Sequence, residues 1–122
     1  MDAGNILTPM SLLGTQLCHY DDIPDPGSKG LIVEHQNVLT RVLVVKKDRQ
    51  VYAYENSCPH TRGALDWVPD RFLDEDANYI MCANHGALFQ IKDGLCIYGP
   101  CKNQHLRALA CTVQDQIIHL LL

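Results

Sequence analysis

Cys58-Pro59-His60-Thr61-Arg62-Gly63 and Cys82-Ala83-Asn84-His85-Gly86-Ala87 are two short stretches that each place a cysteine and a histidine two or three positions apart. Twenty-one residues separate His60 from Cys82. Each pair falls on an expected loop beside a strand, and rigid strands can hold two such loops face to face. A glycine follows each histidine, Gly63 in the first loop and Gly86 in the second. Glycine lets backbone N–H groups approach a bound group closely, and Pro59 stiffens the first loop. Two thiolates and two imidazoles are a metal-ligand set. Structural zinc accepts Cys₂His₂ as well, but usually with two to four residues between paired cysteines; a Cys-x-His knuckle is unusual for it. The blandest alternative leaves all four side chains unligated.

Outward from these loops, two-residue alternation dominates. Arg41–Lys46 and Val51–Tyr54 flank Lys47–Gln50 as a hairpin. Leu88–Ile91 and Leu95–Ile97 flank Lys92-Asp93-Gly94 as a second, with Asp93 as a turn former. Leu106–Val113 and Ile117–Leu121 flank Gln114-Asp115-Gln116 as a third. Shorter strands are expected at Thr15–His19, Leu31–Glu34 and Tyr79–Met81, and Ile23–Ser28 reads as loop. Short strands with frequent turns predict an all-β fold, a small antiparallel sandwich or barrel. Neither an internal repeat nor a low-complexity segment interrupts it. Between Asp66 and Asn78 no period is visible, and five acids gather: Asp66, Asp70, Asp74, Glu75 and Asp76. This stretch is expected to be a surface excursion with one helical turn, either a solvated loop or a docking patch for a basic partner.

The chain of 122 residues suggests one domain. A chain of this size buries roughly 65–70% of its unfolded surface and folds without disulfides. With 47% hydrophobic and 20% charged residues it is an ordinary globular sequence. A net charge of −4 argues against nucleic acid, which calls for clustered Lys and Arg. The nearest basic cluster, Lys46-Lys47-Asp48-Arg49, is expected to be a solvated turn. Met1–Leu13 lacks the pattern of a signal peptide, and no apolar run approaches 18 residues. A cytoplasmic protein without membrane attachment is expected. In that setting the six cysteines, Cys18, Cys58, Cys82, Cys96, Cys101 and Cys111, are metal ligands or buried thiols.

By Cys58-x-His60 and Cys82-x-x-His85 the sequence resembles the Rieske family, whose clusters take mixed Cys₂His₂ ligation. A third feature, Gly94-x-Cys96-x-x-Gly99-Pro100-Cys101, matches the Gly-Pro segment that covers the cluster in that family. The resemblance spans about residues 15–122. It implies a Rieske fold: residues 14–122 as the domain after a variable lead-in at 1–13, with a cluster-binding subdomain at about 56–101 inserted into the β base. It implies one [2Fe–2S] cluster, with Cys58 and Cys82 on the inner iron and His60 and His85 on the outer one. The family's histidines bind through Nδ1 and leave Nε2 near solvent. Pro59, Arg62, Gly63, Gly86, Ala87, Gly99 and Pro100 would surround the cluster.

High-potential members carry a disulfide clasp between the two loops. The matching positions here are Gly63 and Asn84, so the clasp is absent. They also place a serine and a tyrosine hydroxyl by the cluster, where this chain has Ala87 and Phe89. Hydrogen bonds to sulfur raise the potential, so their lack implies a low-potential, soluble ferredoxin of the oxygenase-associated type. Only 21 residues follow Cys101, too few for the catalytic iron domain of terminal oxygenases. The resemblance therefore implies a monomeric carrier and not an enzyme, with a reductase as donor and an oxygenase or other redox enzyme as acceptor. Two other roles fit the family: a small subunit of a larger reductase such as nitrite reductase, and a redox-sensing regulator using Cys18, Cys96 and Cys101. Cys18, Cys96 and Cys111 are otherwise expected to be small buried hydrophobes, and Cys101 a packed free thiol. His19, His35, His105 and His119 lack ligand spacing, and Trp67 is expected to cap the cluster subdomain.

Overall fold

The computed structural model describes residues 15–121; the expected lead-in at 1–13 lies outside them. Among the described residues the chain forms ten strands: β1 (Thr15–His19), β2 (Gly27–His35), β3 (Val38–Lys47), β4 (Gln50–Glu55), β5 (Tyr79–Met81), β6 (Leu88–Gln90), β7 (Cys96–Tyr98), β8 (Ala108–Leu109), β9 (Cys111–Gln114) and β10 (Ile117–Leu120). They make three antiparallel sheets, ordered β1-β10-β9, β2-β3-β4-β8 and β5-β6-β7. The all-β, antiparallel expectation holds. Among the described residues no helix is long and apolar enough to cross a membrane.

β3 sets the architecture. Val42, Leu43, Val44 and Val45 are all fully buried. Successive strand side chains point to opposite faces, so four buried residues in a row require cover on both sides. Val42 and Val44 pack with Ile23, Val33, Ala53, Ile118 and Leu120, between the two sheets of the base. Leu43 and Val45 pack with Tyr54, Leu65, Phe72, Ile80 and Phe89, toward the third sheet. The alternation expected at Arg41–Lys46 gives way here to the continuous apolar run of a strand covered on both faces.

Three hairpins turn on two residues, Gln36-Asn37, Asp48-Arg49 and Asp115-Gln116, all with φ between 51° and 70°. Positive φ at both central residues matches the strands' right-handed twist. The first was not expected, because Gln-Asn is a weak turn signal. Nor is the basic stretch at the second hairpin a solvated turn. Lys46 is buried; its Nζ donates to the Tyr20 and Ile23 carbonyls at 3.0 Å each and lies 3.6 Å over the Tyr20 ring. Only Asp48 and Arg49 stand at the tip, their N–H groups donating to Asp25. The expected strand Leu106–Val113 splits: β8 pairs with β4 and β9 with β10, so one segment serves both sheets of the base.

The acidic excursion is stitched to the base and contains no helical turn. Phe72 is fully buried. The Gly30 N–H donates to Asp70 Oδ1 at 2.8 Å, and the Ser28 hydroxyl donates to the Asp70 carbonyl at 2.7 Å. Asp74 Oδ1 accepts from the Asn78 and Tyr79 N–H groups at 2.9 Å each. Asp70 and Asp74 are thus engaged in hydrogen bonds within the fold. The tip carrying Glu75 and Asp76 is tied through the Ala77 carbonyl to Lys47, opposite Gln50. Five residues of strand, roughly 17 Å, separate that end of the hairpin from Glu55, where the chain leaves for Cys58. Glu75 and Asp76 therefore stand apart from the Cys58 loop.

Candidate metal centre

Both Cys-His stretches leave the ends of strands, the first just after β4 and the second directly after β5. The two loops close by the same pair of backbone hydrogen bonds. Around Cys58, its N–H donates to the Gly63 carbonyl at 2.8 Å and the Arg62 N–H donates to the Cys58 carbonyl at 2.7 Å. Around Cys82, its N–H donates to the Ala87 carbonyl and the Gly86 N–H donates to the Cys82 carbonyl, both at 2.9 Å. The residue four after each cysteine takes positive φ: Arg62 at 66° and Gly86 at 67°. In the first loop the reversal thus falls on Arg62, one position before Gly63.

The loops bring the four candidate ligands together in two pairs of different character. Cys58 and Cys82 are 2% and 1% exposed and lie in one buried cluster. His60 and His85 are exposed, with ring centroids 5.2 Å apart and planes at 74°. Burial pushes the Cys58 thiol up, but N–H groups of Thr61 and His60, with the Cys82 and Thr61 side chains, outweigh it and hold the thiol below its ordinary value. Burial, with Cys58 alongside, pushes the Cys82 thiol up despite N–H groups of Asn84 and His85. Thr61 went unread in the sequence; its place directly after His60 was the available signal.

The surroundings fix both loops. Asn56, buried, accepts from the Leu65 N–H at 2.7 Å and donates to Asp66 at 3.2 Å. The Ala83 N–H donates to the Leu65 carbonyl at 2.8 Å, so the segment after the first loop braces the second. Trp67, expected to cap the cluster subdomain, is 70% exposed, and its Nε1 donates to Asn84 Oδ1 at 2.8 Å across to the second loop. The segment Gly99-Pro100-Cys101 lies against the second loop. Gly99 has φ +109°, and a Cβ there would meet Ala87 Cα at 2.8 Å and Cβ at 2.9 Å. Only glycine fits, for both reasons. Arg62 also supports its loop through its carbonyl, which accepts from Ser57 and Arg41 at 3.3 Å each. Ala87 and Phe89 are buried.

The other singled-out residues separate clearly. Cys96 and Cys101 are fully buried and adjacent; Cys18 and Cys111 are only half-buried and pack in the base. His19, His35 and His105 are exposed and His119 is buried in β10. Asp93 accepts from the Leu95 N–H at 3.0 Å, the expected turn role.

The fold is shared with known proteins. The chain resembles the ferredoxin of carbazole 1,9a-dioxygenase from Nocardioides aromaticivorans IC177 (TM-score 0.67, 22% identity, covering 88% of this chain and 98% of that one). A ferredoxin from Sphingomonas yanoikuyae B1 matches with TM-score 0.69 and 22% identity, over 89% of this chain and 98% of that one. A chain from the complex of reduced oxygenase and oxidized ferredoxin in carbazole 1,9a-dioxygenase matches with TM-score 0.70 and 19% identity, over 90% and 94%. At such identities the likeness establishes a common fold. No curated protein sequence matches the chain. The Rieske [2Fe-2S] domain matches residues 15–114, nearly all that the structure describes, and the chain therefore belongs to the Rieske [2Fe-2S] family.

Proposed function

We propose that this chain is a one-electron carrier, holding its [2Fe–2S] cluster between Cys58 and Cys82 on the inner side and His60 and His85 on the outer side. The observation that carries the reading is the division of the four side chains: two thiols buried in one cluster, and two neighbouring, exposed imidazoles. Two ligands of one iron must lie close together, and both pairs do. The set fits the group. Among the described residues no three His, Cys, Asp or Glu side chains converge on one metal position. A tetrahedral zinc needs four donors around a single point, whereas a two-iron cluster takes them two by two. When bound, such a cluster takes up and releases one electron at a potential set by ligands, hydrogen bonds and exposure.

The chain's own residues do the rest. N–H groups of Thr61 and His60 favour the Cys58 thiolate, the form that ligates metal. Leu65, Phe72, Ile80 and Phe89 pack around the cysteines and exclude water. The exposed histidine rings stand where a partner makes contact. The unit concerned runs over about residues 56–101, between β4 and β8. A reductase would supply electrons and an oxygenase would receive them, as the structural likeness to a dioxygenase ferredoxin supports.

Iron and labile-sulfide analysis after anaerobic purification tests this, followed by voltammetry. Two irons and two sulfides per chain with a reversible one-electron wave are expected. A colourless protein with one zinc per chain would overturn the proposal.

A further inference from the structure

Cys96 and Cys101 form a second sulfur pair, which the proposed ligand set does not use. Cys101 Sγ donates to Cys96 Sγ at 3.2 Å, and Cys96 Sγ donates to the Tyr98 carbonyl at 3.3 Å. Both residues are 0% exposed. Backbone bonds hold the two sulfurs in place. The Cys96 N–H donates to the Gln104 carbonyl at 2.8 Å, and the Asn103 N–H donates to the Cys96 carbonyl at 2.9 Å. The Gln104 N–H in turn donates to the Cys101 carbonyl at 2.9 Å. Between the cysteines runs the turn at Gly99, the residue packed on Ala87. Cys58, Cys82, Ala87, Cys96 and Cys101 share one buried cluster.

We propose that Cys96 and Cys101 are a redox-active thiol pair that closes to a disulfide and fastens the covering segment over the second loop. A disulfide bond is about 2.05 Å long, so the sulfurs need to approach by only about one ångström from where they stand. Cys18 sits in the other core and takes no part. The oxidant is a small disulfide such as glutathione disulfide. A thiolate of the pair attacks it, its S–S bond breaks, and one glutathione leaves as thiol. The second cysteine then displaces the other glutathione. The Cys96–Cys101 bond forms, and the two electrons and two protons of the pair end in the two reduced glutathione thiols. Because both sulfurs are buried, exchange follows opening of the exposed stretch 102–105. The closed pair restrains that opening; the reduced pair permits it.

The disulfide itself is independent of the carrier reading, while its effect on cluster retention rests on it. The test equilibrates the purified holoprotein anaerobically at graded ratios of reduced to oxidised glutathione. Free thiols are then alkylated, and peptides mapped after unfolding. A peptide bridging Cys96 to Cys101 should accumulate with oxidation, the intact mass falling by two hydrogens while Cys18 and Cys111 stay alkylated. Bleaching of the visible absorbance by a chelator should then slow on the order of tenfold. Cys96→Ala and Cys101→Ala should both abolish that difference. Alkylation of both cysteines at every ratio, or lasting glutathione adducts without the bridge, would overturn the pair. A bridge that leaves bleaching unchanged would overturn the fastening. A preparation without cluster absorbance would sink the carrier reading alone, since the peptide map is still readable.

Discussion

The Cys58 loop and the Cys82 loop have the same backbone and different supports. In each, the cysteine N–H donates to the carbonyl five residues on, and the N–H four residues on donates back to the cysteine carbonyl. The histidine is two residues after Cys58 but three after Cys82, so the sequence spacing differs while the scaffold does not. At the reversal the first loop spends an arginine on positive φ and the second uses a glycine. A left-handed conformation costs a non-glycine residue roughly 1–2 kcal/mol. The first loop tolerates this because Arg41, Asn56 and Ser57 hold its exit and its carbonyls. The second leans on contacts from elsewhere in the chain: Leu65, Trp67 and Gly99. The lesson is that a ligand motif's spacing records where the side chains point, whereas the loop's shape is set by two hydrogen bonds and one unusual dihedral.

The sharpest test of the pairing is at the cysteines. Cys58→Ser and Cys82→Ser should each abolish the cluster, and Cys18→Ser and Cys111→Ser should keep it; iron content decides. Full iron in Cys58→Ser would dissolve the equivalence of the loops. Next comes the support unique to the second loop. Gly99→Ala drives a methyl into Ala87 at 2.8 Å and should cost roughly 2–4 kcal/mol, from overpacking and backbone strain together. Thermal unfolding measures it, and a loss below about 1 kcal/mol would mean that the covering segment yields freely.

The reversal positions give a smaller, paired effect. A Cβ at Gly86 meets no atom within 4 Å, so Gly86→Ala isolates the dihedral and should destabilise by about 1 kcal/mol. Arg62→Gly should gain up to about 1 kcal/mol, less what glycine adds to the freedom of the unfolded chain. Opposite signs are expected in the same denaturation experiment; equal signs would show that the two sites are not alike. The gentlest change is Ala87→Ser. With Ala87 and Phe89 offering no hydroxyl, the midpoint potential should lie near the low Rieske limit, about −150 mV. A serine whose hydroxyl reaches a cluster sulfur raises it, and voltammetry of the two proteins side by side reads the difference. A native potential well above zero would point to a tuning group elsewhere.

The sequence by itself determined the all-β class, the boundaries of β1 and β5, and the two loops carrying Cys58, His60, Cys82 and His85. These depend on neighbours a few positions apart, through alternation, turn chemistry and ligand spacing. The Gly-Pro segment was legible as a motif too, though why Gly99 must be glycine was not, because Ala87 is twelve positions away. Tertiary structure alone decided that β3 is buried on both faces, that Lys46 sits inside, and that the strand after Leu106 serves two sheets. It also divided the five acids of the excursion, tying Asp66, Asp70 and Asp74 into hydrogen bonds and leaving Glu75 and Asp76 at a distant tip. Above all it set Cys96 against Cys101 and set both apart from Cys18. The physical reason is common to all of these. Burial and partner choice depend on what another part of the chain places opposite a residue, and periodicity within a segment carries no record of that.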